Sequence, residues 1–512
     1  MTTTTRHLAT RIASLGLGLL FAVSACKTGN GETNNPDGAS NANEVEPTPA
    51  KTIAKPGRVW PPPPPPTAPK PVKFPKIADF RLDNDLAVYV IENHEVPIVS
   101  AQLVVRCGYM DHEYLSGFTA SMLGEGTRSR SKAKLDEAIE FVGGTLIAGS
   151  GMHVSTVFSR SLRDDLKLSL LLMADEVQNA TFPAGALTKL KAQAKASLRM
   201  ATSQPDVLAD TLFGMAVYPA GHPYGRPLAT NSAIDSIGIE DVRRFHKTFY
   251  RSNNAFLLLS GDITAAEAKP LVQRAFGEWT AAELKDLPAN PLNGFTRYEL
   301  PQKLNVHLVN RPGSAQASIR VGNLAMARNH EDWAALEVAN GILGAGPNSR
   351  LFADLREEQG LTYGISSAVE PGQAPGTFSI STQTRTPTTG AIIAGIFEHI
   401  AQMRNEDPPR AEFETVVRQN VGSFPLQVET PQQIVGKVRT QIIYGLPANY
   451  WQSYRDNITR VELKDVRQAA LRYIHALPVV VVVGDADEIR PQIKRVLPTA
   501  NVIEYDNQLR KQ

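Results

Sequence analysis

Residues 256–262 read Phe-Leu-Leu-Leu-Ser-Gly-Asp, an apolar run that ends in Gly-Asp and precedes a helical pattern. A continuous apolar run of this length, bounded by glycine, is typical of a buried strand. The pattern returns at 479–485, where five valines precede Gly-Asp. A similar helix start precedes each run, at 239–242 and at 463–466. The spacing predicts an internal duplication of a whole domain rather than a short solenoid repeat.

Working outward from these two runs, the periodicity predicts the same order of strands and helices in both copies. In the first copy we expect 86–91 and 98–106 to form a strand pair around a turn at 92–97. The other predicted strands are 145–150, 153–159, 306–310, 317–321, 363–369 and 377–384. The predicted helices are 162–178, 184–202, 205–217, 330–343 and a helix after Thr386-Pro387 that carries Ile392, Ile396, Ile400 and Met403 on one face.

The predicted fold class is therefore α+β, with two homologous α/β domains that each have a mostly antiparallel sheet packed with helices. We expect the domains at 76–285 and 298–512, joined by the loop that contains Pro288, Pro291 and Asn293. The length of 512 residues and the hydrophobic content of 42% suit two cores. The net charge of +2, from 53 basic and 51 acidic residues, gives no reason to expect a nucleic-acid partner.

The N-terminus reads as an export signal rather than as part of the fold. The apolar stretch 15–23 is shorter than the ~20 residues that span a bilayer. It leads to Ser24-Ala25-Cys26, which resembles a bacterial lipobox, with residues 1–25 as the signal peptide and Cys26 as the acylated N-terminus. Lys27 then favours the outer membrane by the usual sorting rule. An ordinary signal peptide with an incidental cysteine is the alternative.

Residues 26–75 are rich in Gly, Asn, Thr, Pro and Glu and end in a proline run, so we expect a disordered tether that holds the globular part away from the membrane. The only other cysteine, Cys107, lies in an apolar run. A disulfide framework within the mature fold is therefore excluded, and a buried thiol is predicted. A catalytic cysteine is a remote alternative, because no His or Asn pattern supports it.

Two glycine-containing segments invite functional interpretations. The run 341–350 is glycine rich but lacks the Gly-Lys-Ser/Thr of a phosphate-binding loop, so it is interpreted as a close-approach loop before a helix. The segment 221–226, Gly-His-Pro-Tyr-Gly-Arg, reads as a turn. We expect His222 to be a loop residue that is hydrogen bonded to backbone.

The run 349–363 reads Ser-Arg-Leu-Phe-Ala-Asp-Leu-Arg-Glu-Glu-Gln-Gly-Leu-Thr-Tyr. It resembles the C-terminal-domain signature of the insulinase/pitrilysin-type zinc metallopeptidases, in which a helix carries an arginine and a Gly-Leu turn leads to a tyrosine. By position, Arg356 and Tyr363 match that pair. The resemblance extends over nearly all of the chain after residue 76. It implies that such two-domain chains pair and enclose a cavity.

The resemblance also implies roles for these two residues. In the family, the arginine and the tyrosine hydrogen-bond the substrate backbone near the scissile carbonyl. A guanidinium holds a peptide carbonyl, and a phenol donates to a developing oxyanion. The alternative is that Arg356 is merely a charged helix residue and that Tyr363 packs in a core.

The zinc-binding motif of the family is degenerate in this sequence. Active members carry H-x-x-E-H shortly before a Gly-Thr pair, the histidines binding zinc and the glutamate activating water. Counting back from Gly126-Thr127, these positions fall on Gly117, Ala120 and Ser121. A third ligand is expected near 197, but no glutamate occurs between Glu176 and Glu240. The chain also lacks a pair of histidines at helical spacing.

These features predict a non-catalytic subunit of a heterodimeric insulinase-type peptidase, without activity or metal of its own. Its partner would carry H-x-x-E-H and the zinc, while Arg356 and Tyr363 would bind the peptide or unfolded protein substrate. The protein would be an outer-membrane lipoprotein that faces the periplasm. The alternatives are a peptide-binding or assembly module of the envelope without proteolysis, and an active enzyme with a displaced metal site. Pairing with itself or with another chain stays open.

Overall fold

The computed structural model describes residues 74–299 and 301–512. Its first sheet has six strands in the order β1-β2-β6-β3-β5-β4. The strands are β1 Ala78–Arg81, β2 Ala87–Glu92, β3 Ile98–Val105, β4 Thr145–Ser150, β5 Ser155–Leu162 and β6 Ala255–Gly261. The first of the two apolar runs that indicated the duplication forms β6, and all residues of β6 are buried. The predicted signal peptide 1–25, Cys26 and nearly all of the tether lie outside the described residues.

The expected pairing of the first two predicted strands is wrong. Strand β6 lies between β2 and β3, parallel to β2 and antiparallel to β3. A strand with apolar side chains on both faces is most stable at the centre of a sheet, where both faces are covered. Strand β1, which the sequence did not predict, pairs antiparallel with the other side of β2.

The second sheet repeats the order of the first, as the duplication predicts. Its order is β12-β7-β11-β8-β10-β9, so β11 takes the central place of β6. The strands are β7 Asn305–Asn310, β8 Gln316–Leu324, β9 Thr362–Val369, β10 Thr377–Arg385, β11 Val479–Gly484 and β12 Asn501–Tyr505. One edge differs, because β1 pairs antiparallel with β2, whereas β12 comes from the end of the chain and pairs parallel with β7.

The helices follow the predicted order with small shifts at their ends. They are α1 Glu113–Met122, α2 Lys132–Phe141, α3 Leu166–Asn179, α4 Ala184–Ser203, α5 Pro205–Val217, α6 Asn231–Ser236, α7 Ile239–Phe249, α8 Ala265–Phe276, α9 Trp333–Leu343, α10 Thr389–Asn405, α11 Arg410–Ser423, α12 Pro431–Tyr444, α13 Tyr450–Thr459, α14 Leu463–Tyr473 and α15 Ala486–Val496. The predicted apolar face of α10 is confirmed, since Ile392, Ile396, Ile400 and Met403 are at most 2% exposed.

Two helices are exchanged between the repeats. Helix α5 belongs to the first repeat but packs on the second sheet, where Leu212 and Phe213 share a core with Val481 of β11. Helix α12 belongs to the second repeat but packs on the first sheet, where Gln432 donates to Ser100 Oγ at 3.2 Å. Residues 74–299 and 301–512 therefore belong to one compact unit.

A buried arginine fixes the first of these contacts. Arg320 of β8 has a side chain that is 8% exposed and pairs with two aspartates of α5. Its Nε lies 2.5 Å from Asp210 Oδ1, and its Nη2 lies 3.1 Å from Asp206 Oδ1. Because the charge is paired and hydrogen bonded, its burial between the two elements is tolerated. The helix exchange therefore has an electrostatic component as well as an apolar one.

Candidate functional site

The helix that carries Arg356 has an unusual geometry. The sequence predicts a plain helix, but Phe352–Glu358 form a π-helix. π-Helical turns are rare and occur frequently at functional sites. Leu355 anchors this π-helix, since it is fully buried and abuts Gly395 of α10, where a Cβ would collide with it. Asp354 adds a polar anchor, because its Oδ2 lies 2.8 Å from His399 Nε2.

The structure brings Arg356 and Tyr363 together. Arg356 Nε donates to the Tyr363 carbonyl oxygen at 3.0 Å, which ties the π-helix to the start of β9. The guanidinium carbon lies 4.7 Å from the centroid of the Phe352 ring and 5.9 Å from that of the Tyr363 ring. Glu357 also forms an ion pair with Arg356 Nη1. The guanidinium is therefore held beside the tyrosine ring.

Tyr363 itself projects into solvent. It lies on β9, the edge strand of the second sheet, and is 94% exposed. Two residues of β9, Tyr363 and Gly364, face only Gln383 of β10, so the pairing contains a bulge at this point. Bulges redirect side chains near functional sites. The alternative in which Tyr363 packs in a core is wrong.

The glycine-rich run before the π-helix makes the predicted close approach. A Cβ at Gly344 would collide with Ser367 of β9, and a Cβ at Gly341 would collide with Val416 of α11. These two glycines let α9 and its C-terminal turn lie directly against neighbouring elements. The loop therefore helps to place the strand that bears Tyr363.

Gly117, Ala120 and Ser121, which the sequence analysis predicts to occupy the zinc-motif positions, all lie on α1. Ala120 is 1% exposed and Gly117 and Ser121 are partly buried on the same helix. A hydrogen, a methyl group and one hydroxyl do not make a zinc donor set, since zinc takes thiolate, imidazole or carboxylate ligands. In the part of the chain that the structure describes, no group of three or more His, Cys, Asp or Glu side chains is placed to hold a metal ion. The side chains of Gly117, Ala120 and Ser121 therefore do not fit zinc.

A buried carboxyl group near α1 escaped the sequence analysis. Glu176 of α3 is 5% exposed, and its Oε1 would lie 3.2 Å from a Cβ at Gly124. Burial raises the pKa of Glu176 to about 7, although Lys132 partly opposes the shift. Its position between the apolar residues Met173 and Val177 of α3 was the available signal.

The other two residues that the sequence analysis considered, His222 and Cys107, are both buried in the fold. His222 is fully buried, its Nδ1 accepts from the Tyr224 N–H at 3.1 Å, and its ring stacks on Tyr218, which confirms the backbone-bonded turn. Burial lowers the pKa of His222 to about 4. Cys107 is fully buried, as predicted, and burial raises the pKa of its thiol.

Comparisons with known proteins give the family. The model described as "Insulinase (Peptidase family M16)" matches residues 87–230, and the model described as "Peptidase M16 inactive domain" matches residues 236–420. The chain belongs to peptidase family M16. The M16 resemblance is thereby confirmed. The match at 236–420 begins at the end of the first repeat and covers the π-helix and β9.

Relatives of the chain include proteins named as uncharacterized zinc proteases. It is 25% identical over 317 residues to the uncharacterized zinc protease YmxG of Bacillus subtilis, covering 62% of this chain and 75% of the relative. It is 23% identical over 414 residues to an uncharacterized zinc protease of Rickettsia bellii, covering 79% of this chain and 96% of the relative.

Solved structures support the M16 fold. A peptidase M16 inactive domain from Pseudomonas fluorescens matches with a TM-score of 0.70 and 25% identity, covering 80% of this chain and 98% of that chain. A protease from Helicobacter pylori matches with a TM-score of 0.71 and 18% identity, over 80% and 99% of the two chains. The predicted fold class is confirmed. Among the described residues, no helix is long and apolar enough to cross a membrane.

Proposed function

We propose that this chain is the non-catalytic subunit of a heterodimeric M16 peptidase. A partner chain with an intact H-x-x-E-H helix binds zinc and activates water. This chain supplies Arg356 and Tyr363, which hold the backbone of a peptide or unfolded protein beside the partner's metal. Alone, the chain has no peptidase activity.

One observation carries this proposal, namely the difference between the two repeats. The helix α1 offers Gly117, Ala120 and Ser121 at the metal positions. The second repeat instead presents the Tyr363 ring in solvent beside the guanidinium of Arg356. In the described chain the Tyr363 hydroxyl has no hydrogen-bond partner, so it is free to donate to a ligand. A tyrosine this exposed gains nothing from burial, which favours a role in binding.

The chemistry of the pair suits a peptide carbonyl. The guanidinium donates two hydrogen bonds in a fixed plane, and the phenol donates a third. Donors that are already held in place stabilise a developing oxyanion without reorganisation. Glu357 occupies Arg356 Nη1 in this structure, so the substrate carbonyl would either use the remaining N–H groups or displace that carboxylate.

The test is to purify the tagged full-length chain from membranes of the native organism and identify its stoichiometric companion by mass spectrometry. The proposal expects an M16 chain with an intact H-x-x-E-H motif. A homodimer, or a stoichiometric companion without that motif, would contradict it. Metal analysis of the isolated chain is the accompanying control, and zinc bound at one ion per chain would also contradict the proposal.

A second candidate function is peptide binding without cleavage in the cell envelope. The exposed edge strands favour it, because among the described residues β4 and β9 each have one side without a strand partner, to which an extended peptide could add. Exposed Ile147 on β4, with 59% of its surface accessible, offers an apolar contact there. This function differs from the first in one respect, since it does not depend on any partner's zinc.

We also propose that Cys26 anchors the protein to the outer membrane, with the globular part in the periplasm. The small residues before Cys26 and Lys27 after it support this placement. The variant Cys26→Ser should move from the membrane fraction to the soluble periplasmic fraction. Unchanged membrane fractionation would contradict the anchor.

A further inference from the structure

The strand β9 changes the direction of its side chains at the point where Tyr363 lies. Ile365 and Ser367 are each 4% exposed, so their side chains lie on the covered face of the second sheet. Because side chains in a strand alternate with a period of two, regular pairing would bury Tyr363 on that same face. The bulge opposite Gln383 interrupts the alternation, and Tyr363 is exposed. The exposure of the Tyr363 ring therefore depends on the bulge.

Two threonine hydroxyls bind the backbone at this bulge. Thr362 Oγ1 accepts from the Gly364 N–H at 3.0 Å and lies 2.6 Å from the Gln383 carbonyl oxygen. Thr382 Oγ1 lies 2.9 Å from the Gly364 carbonyl oxygen and 3.0 Å from Thr362 Oγ1. A hydroxyl has one proton and two lone pairs, so each threonine can donate to its nearest carbonyl. Thr362 then donates to Gln383 and Thr382 donates to Gly364, which ties the two strands together at the irregular pairing.

The surroundings of these hydroxyls keep them in place. Thr382 is 4% exposed, and a buried hydroxyl that loses its partner carries a desolvation cost. Threonine is also restricted at χ1, which limits the directions that its hydroxyl can take. On the other side of the bulge, Arg356 Nε binds the Tyr363 carbonyl oxygen. None of these hydrogen bonds uses the Tyr363 hydroxyl, so the backbone is held while the phenol stays available.

We propose that Thr362 and Thr382 are positioning residues of the peptide site. Their hydroxyls hold the bulge that turns the Tyr363 phenol out of the core and towards the substrate carbonyl. The inference rests on the proposed function, since the two threonines act only through Tyr363 and do not touch the substrate. A displacement of about 1 Å in a catalytic geometry can cost about 100-fold in rate. Because the phenol donates to a developing oxyanion, loss of either hydroxyl lowers kcat more than it raises KM.

The experiment is a double-mutant cycle in the active pair with the zinc-binding subunit, with kcat and KM measured on an internally quenched peptide. Thr382→Val keeps the shape of the side chain but removes the hydroxyl, and it should lower kcat/KM at least about fivefold. In the Tyr363→Phe background the same change should cost less than about twofold, because the hydroxyl that it positions is already absent. Thr382→Ser retains a hydroxyl and should bring kcat/KM to within about twofold of the wild type.

Thr386→Val is the matched control. Thr386 is 2% exposed, and its hydroxyl donates to the Ser314 carbonyl oxygen at 2.6 Å, beyond the end of β10. In urea denaturation, Thr386→Val should lose about as much free energy of unfolding as Thr382→Val, but its kinetics should be those of the wild type. If Thr382→Val fails to fold, Thr362→Val, at a half-buried position, carries the same cycle.

Four results would overturn the positioning role while Tyr363 keeps its own. They are wild-type kinetics in Thr382→Val, an undiminished loss in the Tyr363→Phe background, no recovery in Thr382→Ser, and an equal kinetic loss in Thr386→Val. Wild-type kinetics in Tyr363→Phe would instead contradict the proposed function itself, and the positioning role would fall with it.

Discussion

At the scale of single residues, the backbone around Arg356 and Tyr363 is held in place while the Tyr363 ring is exposed to solvent. The Arg356 Nε bond to the Tyr363 carbonyl and the buried Leu355 hold the backbone, while the tyrosine ring stays in solvent. Such pre-organisation lowers the entropic cost of binding a peptide. The contacts that position the Arg356 side chain involve its Nε and Nη1 but not its Nη2.

The first prediction concerns these two side chains in an active pair with the zinc-binding subunit. Arg356→Ala and Tyr363→Phe should each lower kcat/KM for a peptide by about 10- to 1,000-fold, because each removes a donor to the carbonyl. If the interaction strengthens in the transition state, kcat falls more than KM rises. Arg243→Ala, on the exposed face of α7, is the control. Wild-type kinetics in both site variants would remove their assigned roles.

The second prediction concerns Glu176. Because its pKa is raised to about 7 in the folded chain, it binds a proton that the unfolded chain has already released. Its contribution to stability is therefore lost as pH rises from about 4.5 through about 7. The free energy of unfolding of Glu176→Gln should therefore rise by about 2 kcal/mol relative to that of the wild type between pH 5 and pH 8.

Urea denaturation at a series of pH values measures this difference in the free energy of unfolding. The exposed glutamate of α2, in the variant Glu137→Gln, is the matched control. A stability difference between Glu176→Gln and the wild type that stays constant across that pH range would show that the carboxyl is not held neutral by burial.

At the scale of elements, the sequence predicted most strands and helices but not all of their neighbours. The valines of β11 and the leucines of β6 identified two buried strands and the duplication. Pairing partners are non-local, so the insertion of β6 between β2 and β3 could not be read from adjacent sequence. The exchange of α5 and α12 was hidden for the same reason, since an apolar helix face does not specify which sheet it covers.

The candidate site was predictable to a similar degree. Arg356 and Tyr363 were found through the spacing of a family signature. The π-helix was not, because a π-turn depends on tertiary anchors such as Leu355 against Gly395 rather than on local propensity. The bulge at Tyr363 depends in turn on the register of β10.

The third prediction concerns the ion pairs between α5 and β8. Arg320→Met should lower the free energy of unfolding by about 1–3 kcal/mol, because Asp206 and Asp210 lose their shared partner but can still be hydrated. Arg163→Met is the matched control, since Arg163 also pairs with two carboxylates but is 41% exposed. The control should cost less than about 1 kcal/mol. Equal losses in guanidinium denaturation would contradict a special role for the buried pair.

At the scale of the whole molecule, the helix exchange makes the two repeats interdependent. The larger core contains Ile91 and Phe256 of the first sheet together with the core of the second repeat. The fourth prediction is therefore a single cooperative transition of the globular part in calorimetry. Each repeat expressed alone should fail to fold, because it would expose the face that the exchanged helix covers. Two separate transitions, or two stably folded halves, would contradict this interdependence.

The predicted loss of the zinc motif and the exposed Arg356–Tyr363 pair lead to one proposed account, that of half a peptidase site completed by another subunit. The direct measurement is hydrolysis of an internally quenched peptide by this chain alone, by its H-x-x-E-H partner alone, and by their equimolar mixture. The account predicts no hydrolysis by this chain and a rate for the mixture about 100-fold or more above that of the partner alone. Zinc-dependent hydrolysis by this chain alone, or a mixture no faster than the sum of its parts, would contradict it.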